Sequence, residues 1–193
     1  MKRFLYWVFS LLAVLLVLEV AYEYFWNTGQ PQEVDASPSW QSYSYDKYRF
    51  SLESPMPLLM NKRALANPKI VSRKLSLYAD SPDQNFHLTV ESQEYRGPVP
   101  ADHLDQFQGK VVGMFQSNET VQDFKYASGP VTCSGLTGLE VSGTYASQGT
   151  PYRFDVIEVS EGDWSWDLET AFLDKSDLDD EAKRIFQSLK IEN

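Results

Sequence analysis

The chain has 193 residues, with 17 basic against 27 acidic side chains and a formal net charge of −10. Phosphate recognition requires clustered Lys and Arg, so this balance excludes nucleic acid as a partner. The single cysteine, Cys133, excludes an internal disulfide, and its place in a strand or turn suits a small buried apolar residue.

The first 26 residues read as a membrane segment. Lys2 and Arg3 precede an uncharged run from Phe4 to Leu18, and aromatic residues follow at Tyr22, Tyr24, Phe25 and Trp26. A spanning helix needs about 20 mostly apolar residues. The run reaches that length only by including Glu19 and Glu23, which sit one helical turn apart and meet water near the outer interface. Phe4, Leu11, Leu15, Leu18, Tyr22 and Trp26 are the expected anchor positions, the last two in the headgroup belt. A cleaved signal peptide is the alternative, but no Ala-x-Ala cleavage site follows the run. The positive-inside rule then puts the N-terminus in the cytoplasm. The rest is extracytoplasmic, in a bacterial periplasm or on the cell exterior. Glu19 and Glu23 are either interfacial markers or polar contacts to a partner's membrane helix.

Residues 27–46 are rich in Ser, Gln, Pro and Asn and read as a flexible linker, with Tyr43 and Tyr45 hinting at an early strand. A folded domain is expected over 47–193. Tyr48-Arg-Phe-Ser-Leu alternates and stops at Pro55 and Pro57. Residues 69–78 form a second strand. Residues 85–94 form a third, with Phe86, Leu88 and Val90 on one face and His87, Thr89 and Glu91 on the other.

The period then changes. Leu104, Phe107, Val111 and Phe115 recur at helical spacing after Pro100, predicting a helix over 101–115 with His103 solvated in its first turn. Gly109 and Gly113, four apart, weaken it and offer room for a close neighbour. Four strands follow at about 120–128, 136–146, 151–160 and 163–173, with hairpin turns at 147–150 and 161–162. A closing helix starts at Ser176 or Asp177 as cap, with Leu178, Ala182, Ile185, Phe186 and Leu189 as its apolar stripe. The fold class is therefore α+β, an antiparallel sheet with packed helices, preceded by one transmembrane helix.

Few residue groups suggest chemistry. The acids from Asp174 to Glu181 lack the central Gly and alternating oxygens of a calcium loop. No phosphate-binding, dinucleotide or hydrolase motif occurs, and no histidine pairs with Cys133, so no catalytic, cofactor or metal residue is assigned. Asp163, Asp167 and Glu169 share a strand face opposite Trp164, Trp166 and Leu168; the acids are expected to point to water and the tryptophans to the core.

The order of elements resembles the PsbP/Mog family. The likeness rests on Tyr48-Arg-Phe-Ser-Leu before a proline, the helix at 101–115, the Gly135-to-Tyr145 strand, the Gln148-Gly-Thr-Pro-Tyr152-Arg hairpin and the closing Ile185-Phe-Gln-Ser-Leu-Lys-Ile. Met56-Pro57 stands where the family usually has a tryptophan. The resemblance implies an α/β/α sandwich over about residues 46–193 and a non-enzymatic accessory role, here as an envelope-anchored bacterial member. Two functions follow. The first is a membrane-anchored module that stabilises a protein partner in or at the membrane. Its surface would be Glu19, Glu23, Arg153, Asp155, Asp163, Asp167 and Glu169. The second is a small-ligand or carbohydrate receptor using exposed Trp164 and Trp166.

Overall fold

In the computed structural model, residues 39–61, 67 and 69–192 are described. The expected anchor at 1–26, including Glu19 and Glu23, lies outside the described residues. None of the described helices is long and apolar enough to cross a membrane.

The described residues form two antiparallel sheets, two α-helices and a short 3-10 turn at Asp46–Tyr48. The small sheet runs β1 (Gln41–Tyr45), β2 (Phe50–Ser54), β10 (Lys190–Ile191) in spatial order. The large sheet has the order β3 (Leu59–Met60), β4 (Val71–Asp80), β5 (Phe86–Tyr95), β9 (Trp164–Leu173), β8 (Thr150–Glu161), β7 (Leu136–Ser147), β6 (Val121–Cys133). Helix α1 spans His103–Gln116 and α2 spans Ser176–Ser188.

β1 falls inside the stretch read as a linker. It pairs with β2 from Gln41↔Ser54 to Tyr45↔Phe50, so the folded domain begins before residue 47. Tyr45 stacks on Phe50 at 5.1 Å, which fixes the register through a large cross-strand pair. β6 outruns its expected end by five residues. It runs through Pro130 because β6 is an edge strand, where a missing N–H costs no ladder bond on the outer side. The hairpin turns use left-handed residues at Ser134-Gly135 and Gln148-Gly149, as the twist of paired strands demands.

Both faces of the large sheet carry packed elements. On one face, Trp166, Leu168 and Phe172 of β9 meet Phe86, Leu88 and Val90 of β5. β2 lays Phe50 and Leu52 over them, and α2 adds Ala182 and Ile185. Trp166 also donates its indole N–H to the Tyr48 carbonyl at 2.9 Å. On the other face, α1 presents Phe107, Val111 and Phe115 to Val141, Phe154 and Val156. Each such buried side chain contributes about 1.5–3 kcal/mol. Gly109 and Gly113 point away from the sheet, with nothing within 4 Å of an added Cβ, so they serve no close approach. The close approaches are at Gly138 and Gly143, where a Cβ would meet the Glu158 and Lys125 carbonyl oxygens, each at 2.0 Å. α2 starts after Lys175, in extended conformation, without a side-chain cap bond, in place of the expected Ser or Asp cap.

Candidate functional site

The β-strand period puts Ser165, Asp167 and Glu169 on the α1 side of β9. Register brings Glu158 of β8 beside Asp167 on one flank and Glu91 of β5 on the other. Four carboxyl groups therefore gather beneath one helix. The expectation that this face points to water is corrected here: Asp167 is 9% exposed and Glu158 2%. α1 makes the difference. Its apolar stripe seals Val156 and Phe154, and the acids on the same strands are carried under with them.

His103, expected in solvent, is also turned inward. Its Nε2 hydrogen-bonds Glu158 Oε1, and Tyr95 packs edge-on against the imidazole at 5.6 Å. Burial pushes the imidazole below its ordinary range, which favours the neutral ring donating Nε2–H to Glu158. Glu91 has its own cation, Lys74, at 2.7 Å. Among the described residues, Asp167 and Glu169 have none so close.

Burial raises all three remaining acids. Glu158 is pushed up to about 7, chiefly by desolvation. Asp167 is held well above the carboxylate range by desolvation and then by the Glu158 charge beside it. Glu169 is raised for the same first reason. With both ionised, Glu158 Oε2 and Asp167 Oδ1 have no hydrogen-bond partner among the described residues. The two carboxyls are near enough to bond each other once one carries a proton. A shared proton supplies the missing donor, and like charges at this range make the first ionisation preclude the second.

A cavity of about 210 Å³ opens onto this cluster. α1 forms one wall with Phe107, Val111 and Met114; the sheet forms the other with Val156, Thr89, Glu91, Asp167 and Glu169, and exposed Lys110 stands at the side. No sequence motif marked this site. Its parts come from four elements, and the His103–Glu158 contact spans 55 positions.

The expected partner surface is not one face. Arg153 and Asp155 pair in register with Phe172 and Thr170, so they lie on the face opposite Asp167 and Glu169. They line an open groove of about 440 Å³ across β6, β7 and β8, with Lys125, Ser142, Thr144 and Asp174. Arg153 also reaches Asp179 of α2 at 3.2 Å. Asp163 sits in the β8–β9 turn, where its carbonyl accepts the Tyr95 N–H at 2.7 Å. The receptor reading required exposed tryptophans. Trp164 and Trp166 are 5% and 1% exposed, stacked on each other at 6.0 Å, with the Arg49 and Arg73 guanidinium groups over the Trp164 ring. Neither indole is open to a sugar. Cys133 is buried, as expected.

No family model matches the chain. A stretch of 101 residues, 52% of the chain, is 32% identical to a cell surface glycoprotein of Haloarcula marismortui, of which it spans 11%. Among solved structures, the solution structure of the cyanobacterial PsbP protein (CyanoP) from Synechocystis sp. PCC 6803 matches with a TM-score of 0.54 at 11% identity, covering 84% of this chain and 97% of that one. A crystal structure from Bacteroides thetaiotaomicron gives a TM-score of 0.49 at 11% identity, over 79% of this chain and 48% of that one. LpqN of Mycobacterium tuberculosis, described as involved in cell envelope biogenesis, gives 0.45 at 16% identity, over 80% and 92%. The domain has a PsbP-like fold, as the order of its elements implied.

Proposed function

We propose that this chain is a membrane-anchored, extracytoplasmic accessory module that binds and stabilises a protein of a membrane or envelope complex, without chemistry of its own. The observation that carries this reading is the outer half of the large sheet. There the groove with Lys125, Arg153, Asp155 and Asp174 is open, and among the described residues the outer edge of β6 pairs with no strand. An open, mixed-charge groove beside a free strand edge suits a protein partner, through side-chain pairs and added main-chain bonds. The titratable groups able to do acid–base work lie instead beneath α1.

The apolar run Phe4–Leu18 behind Lys2 and Arg3 supports the anchor and its orientation. The local identity to a cell surface glycoprotein supports the outer side of the membrane. The PsbP-like fold supports an accessory role by analogy only, because one fold hosts many functions. The test is cross-linking of the full-length protein in its own membranes, followed by mass spectrometry. The expected result is an enriched membrane or envelope protein whose cross-links map to β6–β8 and weaken in Arg153→Glu. Recovery of uncross-linked monomer, or cross-links confined to α1, contradicts the reading.

A further inference from the structure

The cavity beneath α1 has two unlike walls. Asp167 and Glu169 stand on the sheet side, and Phe107, Val111 and Met114 on the helix side. Asp167 is more than nine-tenths buried, and its Oδ1 has no donor among the described residues. The charged and titratable groups packed around Asp167 and Glu169 are Lys74 from β4, His87, Glu91 and Tyr95 from β5, Glu158 from β8, and His103 and Lys110 from α1. Lys74 is committed to Glu91 at 2.7 Å, and His103 binds Glu158. Lys110 lines the cavity from α1, exposed and in no ion pair among the described residues, and its single charge favours the ionised forms of three acids, Glu158, Asp167 and Glu169. The cavity therefore has an excess of negative charge on one side and a hydrocarbon surface on the other.

We propose that this cavity is a binding site for a small organic monocation, a protonated amine or quaternary ammonium with a short apolar body, held by Asp167 and Glu169 against Phe107, Val111 and Met114. A hard divalent ion needs oxygens on all sides, and the α1 wall offers none. An anion meets carboxylates, and a neutral sugar leaves the apolar wall unmatched. An alkylammonium fits both walls: its charge faces the acids, its methylenes face Val111 and Met114, and the Phe107 ring adds a cation–π contact. The volume of about 210 Å³ equals roughly seven waters at about 30 Å³ each, which suits a body of a few carbons.

Binding exchanges one positive charge for another. In the free protein a proton shared by Glu158 and Asp167 relieves the acid pair; the bound cation takes over that role, and the proton leaves to solvent. Affinity therefore falls as pH drops, because protons compete for the same carboxyls. The site is independent of the partner groove on the opposite face, so either reading can fail alone.

The experiment uses the full-length protein with methyl-labelled Met and Val, titrated with tetramethylammonium or n-butylammonium chloride and observed by NMR. 1-Butanol and calcium chloride serve as controls. The expected result is a saturable shift of the Met114 and Val111 methyls with an ammonium probe and with neither control. Affinity should fall about tenfold or more in Asp167→Asn, the loss of a charge-assisted contact. Should that variant not fold, Glu169→Gln tests the same wall and should weaken binding at least about threefold. Calorimetry in buffers of different ionisation enthalpy should show proton release on binding. Absence of a saturable shift with both ammonium ions overturns the proposal. So does an equal shift with butanol, a shift with calcium alone, or unchanged affinity in the folded carboxamide variant.

Discussion

The two faces of β9 differ by one residue in register and by everything in chemistry. Trp164, Trp166 and Leu168 close an apolar core with β2 and α2. Ser165 and Asp167, one step along the same backbone, are also buried, but among carboxyl groups under α1. Alternation along a strand therefore reports which residues share a face. It does not report which face is wet, because that depends on what packs above it. The apolar face gains stability from burial, and the acid face loses some. Burial there is tolerated because α1 buries Phe107, Val111 and Phe115 in the same act, and because a proton and His103 ease the acid pair.

That contrast can be broken from either side. The largest effect is expected on the apolar face. Trp166→Ala removes a fully buried ring and its bond to the Tyr48 carbonyl, and should cost about 3–5 kcal/mol in urea unfolding at any pH. On the acid face, Glu158→Gln should stabilise, but only at high pH. An acid raised from 4.5 to about 7 lends stability that is full below 4.5 and lost as pH rises through 7. Gln does not titrate, so the variant should exceed the parent by about 3 kcal/mol at about pH 8 and match it near pH 4.5. Lys74→Met strands Glu91 in a partly buried setting and should cost about 2 kcal/mol in urea unfolding at neutral pH. The smallest effect belongs to the surface. Arg184 pairs with Glu53 at 3.0 Å and lies over Trp40, and Arg184→Ala should cost less than about 1 kcal/mol.

The sequence made the strands and helices legible where period and turn chemistry agreed. The alternation of Phe86, Leu88 and Val90, the α1 stripe, the hairpin at Gln148-Gly149 and the burial of both tryptophans were all readable from local pattern. Their order was enough to suggest a PsbP-like fold. β1 was hidden because an edge strand with polar outer residues looks like a linker until its partner is known. The acid site was hidden for a deeper reason. Glu91, Glu158, Asp167 and His103 converge through sheet register and helix docking, and both are long-range facts. Histidine in a first helical turn carries no local sign of a buried partner 55 residues away. Arg153 and Asp155 share no face with Asp167, because strand parity on β8 and pairing with β9 put them on opposite sides, and that register is a long-range fact as well.

The central claim is that the acids under α1 hold a proton in the native domain near neutral pH. The direct measurement is the pH dependence of urea unfolding for the parent and Glu158→Gln, from about pH 4.5 to about pH 8.5. The account predicts parent stability that falls as pH rises through about 7, and a flatter profile in the variant. Parent stability that is level or rises across that window, with the variant parallel to it, would contradict the claim and show the carboxylates to be ionised and paired.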